Sequence, residues 1–345
     1  MLDTFEIALE AGYSTVKLLE EALEVDIKFT NNFYRLINPL EQPGMRAINI
    51  TKQQNSQKYR IAIEVNPREL LIEEESIDLF LCNKENVEVL YRKLEEELTY
   101  IHRYFSLTNG KWCLSRIDYA MQFRTPYVEL YTTLESKGPI RYHYEGLQKP
   151  GSTYNKCKSS TINAYNKDDQ LSKTNSSTQL KTAAKNLYRF ECQCLKTNYL
   201  RKKFDIYYND LFGLFREDIA LSVLKAQHQR HIKTGDYYSY DEAEKQIREM
   251  KGKQQRTKKK VLEVLRFIEA AGSLPSALQA IRNDGDSVPE QFRGAYSERS
   301  YEILKDKFNA LIREQLCKEG INPILLPNGC GFTTLPNTYA ELFTA

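Results

Sequence analysis

The chain has 345 residues and a mass of 40.2 kDa, which indicates one large domain or two of ordinary size. Hydrophobic residues make up 41% and charged residues 28%, a balance that excludes a mainly disordered protein. No stretch reaches the roughly 18 apolar residues of a membrane span. The start carries acids at Asp3 and Glu6 instead of the basic head of a secretory signal, so we predict a cytoplasmic protein without membrane partners.

The charges are segregated along the chain, although 49 basic and 46 acidic residues leave a net charge of only +3. Residues 64–97 hold eleven Asp/Glu against four Lys/Arg, whereas residues 151–203 hold eleven Lys/Arg against three Asp/Glu. Residues 251–260 add six basic side chains and no acid. This separation predicts a solvated acidic helix and basic surfaces that face a polyanion.

Apolar periodicity predicts the elements of the first part of the chain. In chain order they are a strand at 2–8, a helix at 14–23, a strand at 59–65, a helix at 85–105, and strands at 114–123, 161–165 and 187–195. Residues 151–158 are predicted to form a loop. Because strands and helices do not alternate regularly, we predict an α+β fold with a central, mostly antiparallel sheet and flanking helices.

Beyond about residue 205 the pattern becomes helical. Helices are predicted at 240–250, 257–271, 276–282 and 297–317. Gly272 ends one helix and Pro275 begins the next, which is the outline of a helix-turn-helix unit. We therefore predict a sheet domain at 1–208 and a helical, helix-turn-helix-like DNA-binding domain at 209–345. A basic start of a solvated helix is the alternative for residues 251–260.

Three acids lie within predicted strands and between apolar neighbours: Glu64, Asp118 and Glu191. Side chains alternate between the faces of a strand, so each acid points away from those neighbours. If the strands are adjacent, the three carboxylates converge, and a divalent cation would relieve their repulsion. The alternative is an ion pair along each strand, in which Arg116 contacts Asp118 and Arg189 contacts Glu191.

Tyr165 ends a predicted strand, and Lys167 follows two residues later. In an extended chain this spacing places the ammonium on the same side as the phenol. An ammonium favours the phenolate and can neutralise a phosphate, so the pair suits nucleophilic attack. Tyr154 and Tyr188 are the alternative nucleophiles.

Together these segments resemble the gene II replication proteins of filamentous phages and related plasmid initiators. The resemblance covers roughly residues 55–205 and lies in Ile63-Glu64-Val65, Leu114-Ser115-Arg116-Ile117-Asp118, Thr161-Ile162-Asn163-Ala164-Tyr165-Asn166-Lys167, Leu187-Tyr188-Arg189-Phe190-Glu191 and Leu195-Lys196-Thr197-Asn198-Tyr199-Leu200. Related initiators and relaxases often bind their metal through histidines. This chain has no His-hydrophobe-His run, so the resemblance implies an all-carboxylate site.

The resemblance implies a rolling-circle replication initiator in a bacterial host cell, an endonuclease and ligase that nicks one strand at the origin. Residues 1–208 would then be the nickase domain. Tyr165 would form a 5′-phosphotyrosine beside Lys167, and Glu64, Asp118 and Glu191 would bind Mg²⁺ or Mn²⁺. Implied partners are single-stranded and duplex origin DNA, a host helicase and a DNA polymerase. The alternatives are a conjugative relaxase and a non-catalytic DNA-binding regulator on the same fold.

Basic side chains near the predicted nucleophile and in the helical region are expected to contact DNA. They are Lys156, Lys158, Lys173, Lys181, Lys185, Lys196, Arg201, Lys202, Lys203, Lys258, Lys259 and Lys260.

Overall fold

A computed structural model gives the fold and describes residues 1–40, 43–54, 56–109, 111–138, 145–149 and 152–343. The strands are β1 (Leu2–Ala11), β2 (Phe33–Ile37), β3 (Met45–Lys52), β4 (Tyr59–Val65), β5 (Cys113–Arg124), β6 (Glu145–Lys149), β7 (Ser152–Lys156), β8 (Ser160–Asn166), β9 (Leu187–Cys194), β10 (Tyr237–Tyr238) and β11 (Thr334–Leu335).

The helices are α1 (Tyr13–Leu23), α2 (Pro67–Ile72), α3 (Lys84–Ile101), α4 (Val128–Ser136), α5 (Lys167–Ser172), α6 (Thr178–Ala183), α7 (Thr197–Lys203), α8 (Glu217–His231), α9 (Tyr240–Glu249), α10 (Gln255–Ala271), α11 (Leu274–Arg282), α12 (Glu298–Leu311) and α13 (Thr338–Phe343). None of these described helices is long and apolar enough to cross a membrane.

Contacts divide the chain into two compact units. The first contains Met1–Gln122, Cys157–Asn163 and Lys167–Leu224, and the second contains Phe123–Lys156, Ala164–Asn166 and Lys225–Ala345. The units therefore interleave along the chain, and a single boundary at residue 208 stays a prediction.

The first unit is built on a mostly antiparallel sheet with the strand order β2-β3-β4-β1-β5-β9-β8, flanked by helices. This confirms the predicted α+β class. The apolar face of β1 buries Phe5 and Ile7 completely, because the alternation of its residues sends them to the same side. The sheet is thus a scaffold whose other face is free to carry charged groups.

Helix α3 is the predicted acidic amphipathic helix. It fully buries Leu90, Leu94 and Leu98, and the side chain of Asn83 caps it by accepting a hydrogen bond of 2.8 Å from the Asn86 amide. It ends at Ile101, earlier than predicted, because His102 is extended and the next three residues form a 3₁₀ turn.

The second unit contains the helices predicted after residue 205. Helix α10 ends at Gly272, which has a φ of 76°, and Ser273 caps α11 by accepting a hydrogen bond of 3.1 Å from the Ser276 amide. These residues supply the left-handed turn and the new cap that a helix-turn-helix outline needs. The helix predicted at 297–317 is α12, which passes into a π turn at Ile312–Leu316.

Several elements were missed or wrongly assigned. Residues 152–156 form β7, which pairs antiparallel with β6, so the predicted loop at 151–158 is wrong there. Strands β2 and β3 and helices α2, α4 and α8 are among the elements that had no prediction. The burial along β3 is nearly continuous, so the alternation that reveals a half-exposed strand is absent.

Candidate active site

Charged residues of three adjacent strands share one face of the sheet in the first unit. Glu6 of β1 lies opposite Glu64 of β4 on one side and opposite Arg116 of β5 on the other. Thr4 lies opposite Asp118 in the same ladder. Because directly opposed residues point to the same face, the predicted acids Glu64 and Asp118 lie on a common polar surface.

Asp118 is fully buried and bound by its own strand. The Nε atom of Arg116 donates to both carboxylate oxygens of Asp118 at 2.9 Å, and Nη2 donates to Oδ2 as well. Burial, together with the charges of Glu191 and Asp3, acts to raise the pKa of Asp118, and the hydrogen bonds and charge of Arg116 oppose that rise and favour the carboxylate. The structure therefore contains the ion pair that was the alternative for this acid.

Glu64 lies between two arginines. Its Oε2 atom is 3.6 Å from Nη2 of Arg35 and 3.6 Å from Nη1 of Arg116. Since Arg116 contacts both Glu64 and Asp118, one guanidinium connects two of the three predicted acids.

Glu191 is buried on β9, and Nε2 of Gln193 donates a hydrogen bond of 2.8 Å to its Oε1 atom. Burial and the charge of Asp3 raise the pKa of Glu191. Arg189 was the partner named in the alternative interpretation of this strand. Its guanidinium donates to Asp3 Oδ1 at 2.5 Å and to Gln122 Oε1 at 2.6 and 3.0 Å, and its charge acts to lower the pKa of Glu191.

Asp3 is the acid that this arginine stabilises. Burial acts to raise the pKa of Asp3, but the charges of Arg189, Lys167 and Arg46 together outweigh burial and hold that pKa at about 2. A buried charge pair of this kind is costly to break, because removal of one partner leaves the other uncompensated.

The three predicted acids, as the structure places them, do not fit a site for a divalent cation. Both oxygens of Asp118 already accept hydrogen bonds from Arg116, and two guanidinium groups lie near Glu64. Across the described ranges of the chain, no three His, Cys, Asp or Glu side chains are grouped so that they could hold a metal ion. The carboxylates approach each other, but arginines balance their charge.

Lys167 lines a polar cleft of about 1060 Å³ in the first unit, together with Glu64, Arg35 and Arg46. Its Nζ atom donates a hydrogen bond of 2.7 Å to Gln170. Burial and the charge of Arg189 lower the pKa of Lys167 to about 8, although Asp3 and Glu191 act in the opposite direction. Two predicted residues that lie 103 positions apart in the sequence thus share one cleft with two arginines.

Tyr165 lies in β8 and is 7% exposed. The strand ends at Asn166 and Lys167 begins α5, so the fully extended spacing assumed for Tyr165 and Lys167 is wrong. A phenol buried to this extent has to become accessible before a DNA phosphate can reach it.

The predicted DNA-contacting bases are mostly at the surface. The exposed ones are Lys156, Lys158, Lys173, Lys185, Lys196, Lys202, Lys203 and Lys259, and the half-buried ones are Lys181, Lys258 and Lys260. Lys258 donates a hydrogen bond of 2.5 Å to the carbonyl of Arg248, which fixes the start of α10.

Arg201 is the exception, and its predicted phosphate contact is wrong. Its side chain is buried, and Nη1 donates hydrogen bonds of 2.7 Å to the carbonyl oxygens of Tyr207 and Asp210. These hydrogen bonds stabilise the loop after α7, and the buried guanidinium is not available to solvent or to DNA.

Four charged residues of this region had no predicted role: Asp3, Glu6, Arg35 and Arg46. Glu6 lies between Phe5 and Ile7, which is the pattern that selected the other three strand acids, so the same criterion would have found it. Arg35 and Arg46 belong to the strands that had no prediction, and Asp3 is recognised only through its contact with Arg189.

Comparisons with known proteins include a weak structural likeness. No protein-family model matches the chain, and no curated protein sequence matches it. A solved structure described as a rolling circle replication initiator protein from Geobacillus stearothermophilus aligns with 67% of this chain and 84% of its own, at 12% identity and a TM-score of 0.32. At this TM-score the likeness does not establish a function for the chain.

Proposed function

We propose that the protein is a rolling-circle DNA replication initiator that cuts and rejoins one strand of origin DNA through Tyr165. The observation that carries the proposal is geometric: Glu64 and Lys167, which come from different segments of the resemblance, line one polar cleft together with Arg35 and Arg46. The charge of Glu191 acts to raise the pKa of Asp118 and opposes the lowering of the pKa of Lys167. A coupled set of shifted ionisable groups beside a polar cleft is typical of a catalytic site.

The proposed chemistry is a transesterification. The phenolate oxygen of Tyr165 attacks the phosphorus of a DNA phosphodiester, the bond from phosphorus to the 3′ oxygen breaks, and that oxygen takes up a proton. The products are a 5′-phosphotyrosine and a 3′-hydroxyl that can prime a DNA polymerase. Because the covalent bond retains the phosphodiester energy, attack by a 3′-hydroxyl can later rejoin the strand without ATP.

The cations of the cleft supply charge in this scheme. Lys167, with a pKa of about 8, is mainly an ammonium at neutral pH and can stabilise charge on the phosphoryl oxygens. Arg35 and Arg46 line the same cleft and can position neighbouring phosphates, although Arg46 also contacts Glu69 at 2.9 Å. The predicted dependence on Mg²⁺ or Mn²⁺ stays a proposal, and no step above requires it.

The helix-turn-helix outline of α10 and α11 supports a second proposed contact, with duplex origin DNA. The exposed side of α11 carries Ser276, Gln279 and Arg282, which are residue types that can bind base edges or phosphates. A host helicase and polymerase remain proposed partners at the nick.

The test of the proposed function is covalent capture of DNA. Wild-type protein is incubated with end-labelled single strands tiled across the cognate origin, with Mg²⁺ or Mn²⁺ in one series and a chelator in the other. We expect an SDS-stable adduct that Tyr165→Phe abolishes. Tyr154→Phe is the matched control, because Tyr154 is half-buried in β7 and should leave the adduct intact. Absence of an adduct on every strand would refute the proposal.

Two observations favour a second candidate, a non-catalytic DNA-binding regulator. Tyr165 is nearly buried, and Arg116 occupies both oxygens of Asp118. This candidate predicts origin binding without any adduct and the same replication phenotype for wild type and Tyr165→Phe. A conjugative relaxase would also form an adduct, but on a transfer origin.

A further inference from the structure

A second cavity lies in the first unit, with a volume of about 850 Å³. Its aromatic lining consists of Tyr91, Trp112, Tyr208 and Phe212, and its cationic lining includes Arg60 and Lys111. This volume falls within the range of small-molecule sites, which are mainly apolar with a few polar groups. None of these residues has a role in the proposed nicking reaction.

The exposure of the tyrosines at this cavity is unusual for large aromatic side chains. Tyr208 is 66% exposed and its neighbour Tyr207 is 82% exposed. Trp112, by contrast, is nearly buried and donates a hydrogen bond of 2.7 Å from Nε1 to the Phe105 carbonyl. The cavity therefore has a fixed indole on one part of its lining and an accessible phenol on another.

The loop that presents the tyrosines is held in place from within. Arg201 binds the carbonyl oxygens of Tyr207 and Asp210 at 2.7 Å each, and its guanidinium lies 5.9 Å from the centre of the Tyr208 ring. A loop fastened on both sides of Tyr208 loses little further entropy when a ligand binds, which favours affinity.

The cavity lining and the neighbouring helix α7 differ in charge. The cavity lining is nearly balanced, because Glu10, Glu88 and Asp210 accompany Arg60 and Lys111. Helix α7, which Arg201 joins to the loop, instead exposes Lys202 and Lys203 together with Tyr199 and has no acid. An uncharged ring suits the cavity, and the phosphates attached to it suit the helix.

From this arrangement we propose that the cavity binds an unpaired nucleobase of single-stranded DNA, with the adjoining phosphates on the exposed lysines of α7. The base stacks on Tyr208 and approaches Trp112. The inference rests on the proposed function only in its choice of DNA as the partner. It adds a second contact for the single strand, in a cavity whose lining residues differ from those of the Lys167 cleft.

Trp112 makes the test direct, because it is the only tryptophan in the chain. Full-length protein is titrated with oligo(dT), and tryptophan fluorescence is recorded together with the anisotropy of a label on the DNA. We expect the fluorescence of Trp112 to change with the same midpoint as the anisotropy. An oligonucleotide with abasic positions keeps the phosphates but should bind without changing the fluorescence.

A matched pair of variants tests the stacking contact. Tyr208→Ala removes a mainly exposed ring and should fold, and we expect it to weaken oligo(dT) binding between about 5-fold and 100-fold. Tyr100→Ala removes a ring that is 80% exposed on the acidic helix α3, outside the cavity, and should bind like wild type.

The outcomes separate this inference from the proposed function. If oligo(dT) binds but leaves Trp112 fluorescence unchanged, or if Tyr208→Ala binds like wild type, the base site is refuted and the nicking proposal stands. A fluorescence change of equal size with duplex DNA also refutes it, because paired bases cannot enter the cavity. If no single strand binds by anisotropy, both proposals fail.

Discussion

Arg116 and Asp118, two residues apart on β5, form an ion pair in which one guanidinium nitrogen donates to both carboxylate oxygens at 2.9 Å. The side chain of Asp118 is 1% exposed and that of Arg116 is 22% exposed, so water screens the pair weakly. Arg116 also lies 3.6 Å from Glu64. Arg116 therefore contacts two of the three predicted metal ligands and places a positive charge between them.

The first prediction concerns stability. We expect Asp118→Leu and Arg116→Met each to reduce the free energy of unfolding by about 3 kcal/mol, because each leaves the other charge without its main partner. The double variant should lose less than the sum, with a coupling of about 1–3 kcal/mol in a double-mutant cycle measured by urea unfolding. Additive losses would show that the pair contributes no net interaction.

The second prediction concerns metal binding. Since Arg116 occupies the oxygens of Asp118, the DNA-free protein should bind Mn²⁺ more weakly than roughly 1 mM. Arg116→Gln releases the carboxylate and should tighten binding at least about tenfold in a calorimetric titration. The control is Arg116→Gln combined with Asp118→Asn, which should bind as weakly as wild type. Micromolar Mn²⁺ binding by the wild type would contradict this prediction.

The third prediction concerns Lys167 and pH. Because its pKa is lowered to about 8, the ammonium is lost as the pH rises through that value. The initial rate of adduct formation should therefore decline on the alkaline side with a midpoint near pH 8. Lys167→Arg should move that decline to higher pH, and Lys167→Met should slow the reaction about 100-fold at neutral pH. If the rate declined at the same pH in wild type and in Lys167→Arg, loss of the Lys167 proton would be excluded as the cause of the decline.

The fourth prediction concerns His228 in the second unit. Burial and the neighbouring His231 lower the pKa of His228 to about 3, and its Nε2 atom lies 2.8 Å from Thr338 Oγ1, which in turn donates to Glu135. The unfolded chain, with a histidine pKa near 6.5, binds the proton more readily than the folded chain. Stability is thus complete above about pH 6.5 and declines as the pH falls toward 3.

Protonation of this histidine in the unfolded chain should lower the free energy of unfolding by about 1 kcal/mol between pH 6.5 and 5.5, and by about 1.4 kcal/mol for the next pH unit. His228→Asn should flatten this part of the stability profile, measured by urea unfolding at several pH values, whatever its effect at neutral pH. His102→Gln, which changes a half-buried histidine at the end of α3, is the control and should retain the wild-type slope. If the free energy of unfolding of His228→Asn fell with pH as steeply as that of wild type, His228 would not be the source of the acid destabilisation.

The fifth prediction separates an exposed from a buried base on α7. Replacement of Lys202 and Lys203 together by Ala should reduce the dependence of log K on log salt for single-stranded DNA by about 1.4, because two phosphate contacts are lost. Arg201→Met should leave that slope unchanged and should instead lower stability, because its guanidinium binds carbonyl groups inside the loop. If Arg201→Met also reduced the dependence of log K on log salt, the result would support the original prediction that Arg201 contacts phosphate.

The sequence predicted those parts of the fold that local periodicity encodes. β4 spans Tyr59–Val65 as predicted, and α3, β5 and β9 differ from their predictions by a few residues at the ends. β3 escaped because a strand buried on both faces shows no alternation. The short extended segment at 152–156 escaped because its polar residues indicate a loop and only its pairing with β6 makes it a strand.

The sequence by itself determined which chemical groups are available: acids within apolar strands, a tyrosine close to a lysine, and segregated basic segments. These are local properties, because a strand fixes which side each residue faces. Only the tertiary structure decided the partners. Arg116 lies with Asp118 but Arg189 reaches Asp3, which is 186 residues away, and residues as distant as Ala8 and Phe212 line one cavity. The reason is physical: a buried charge takes whichever opposite charge the strand order brings within reach, and strand order is set by the whole chain.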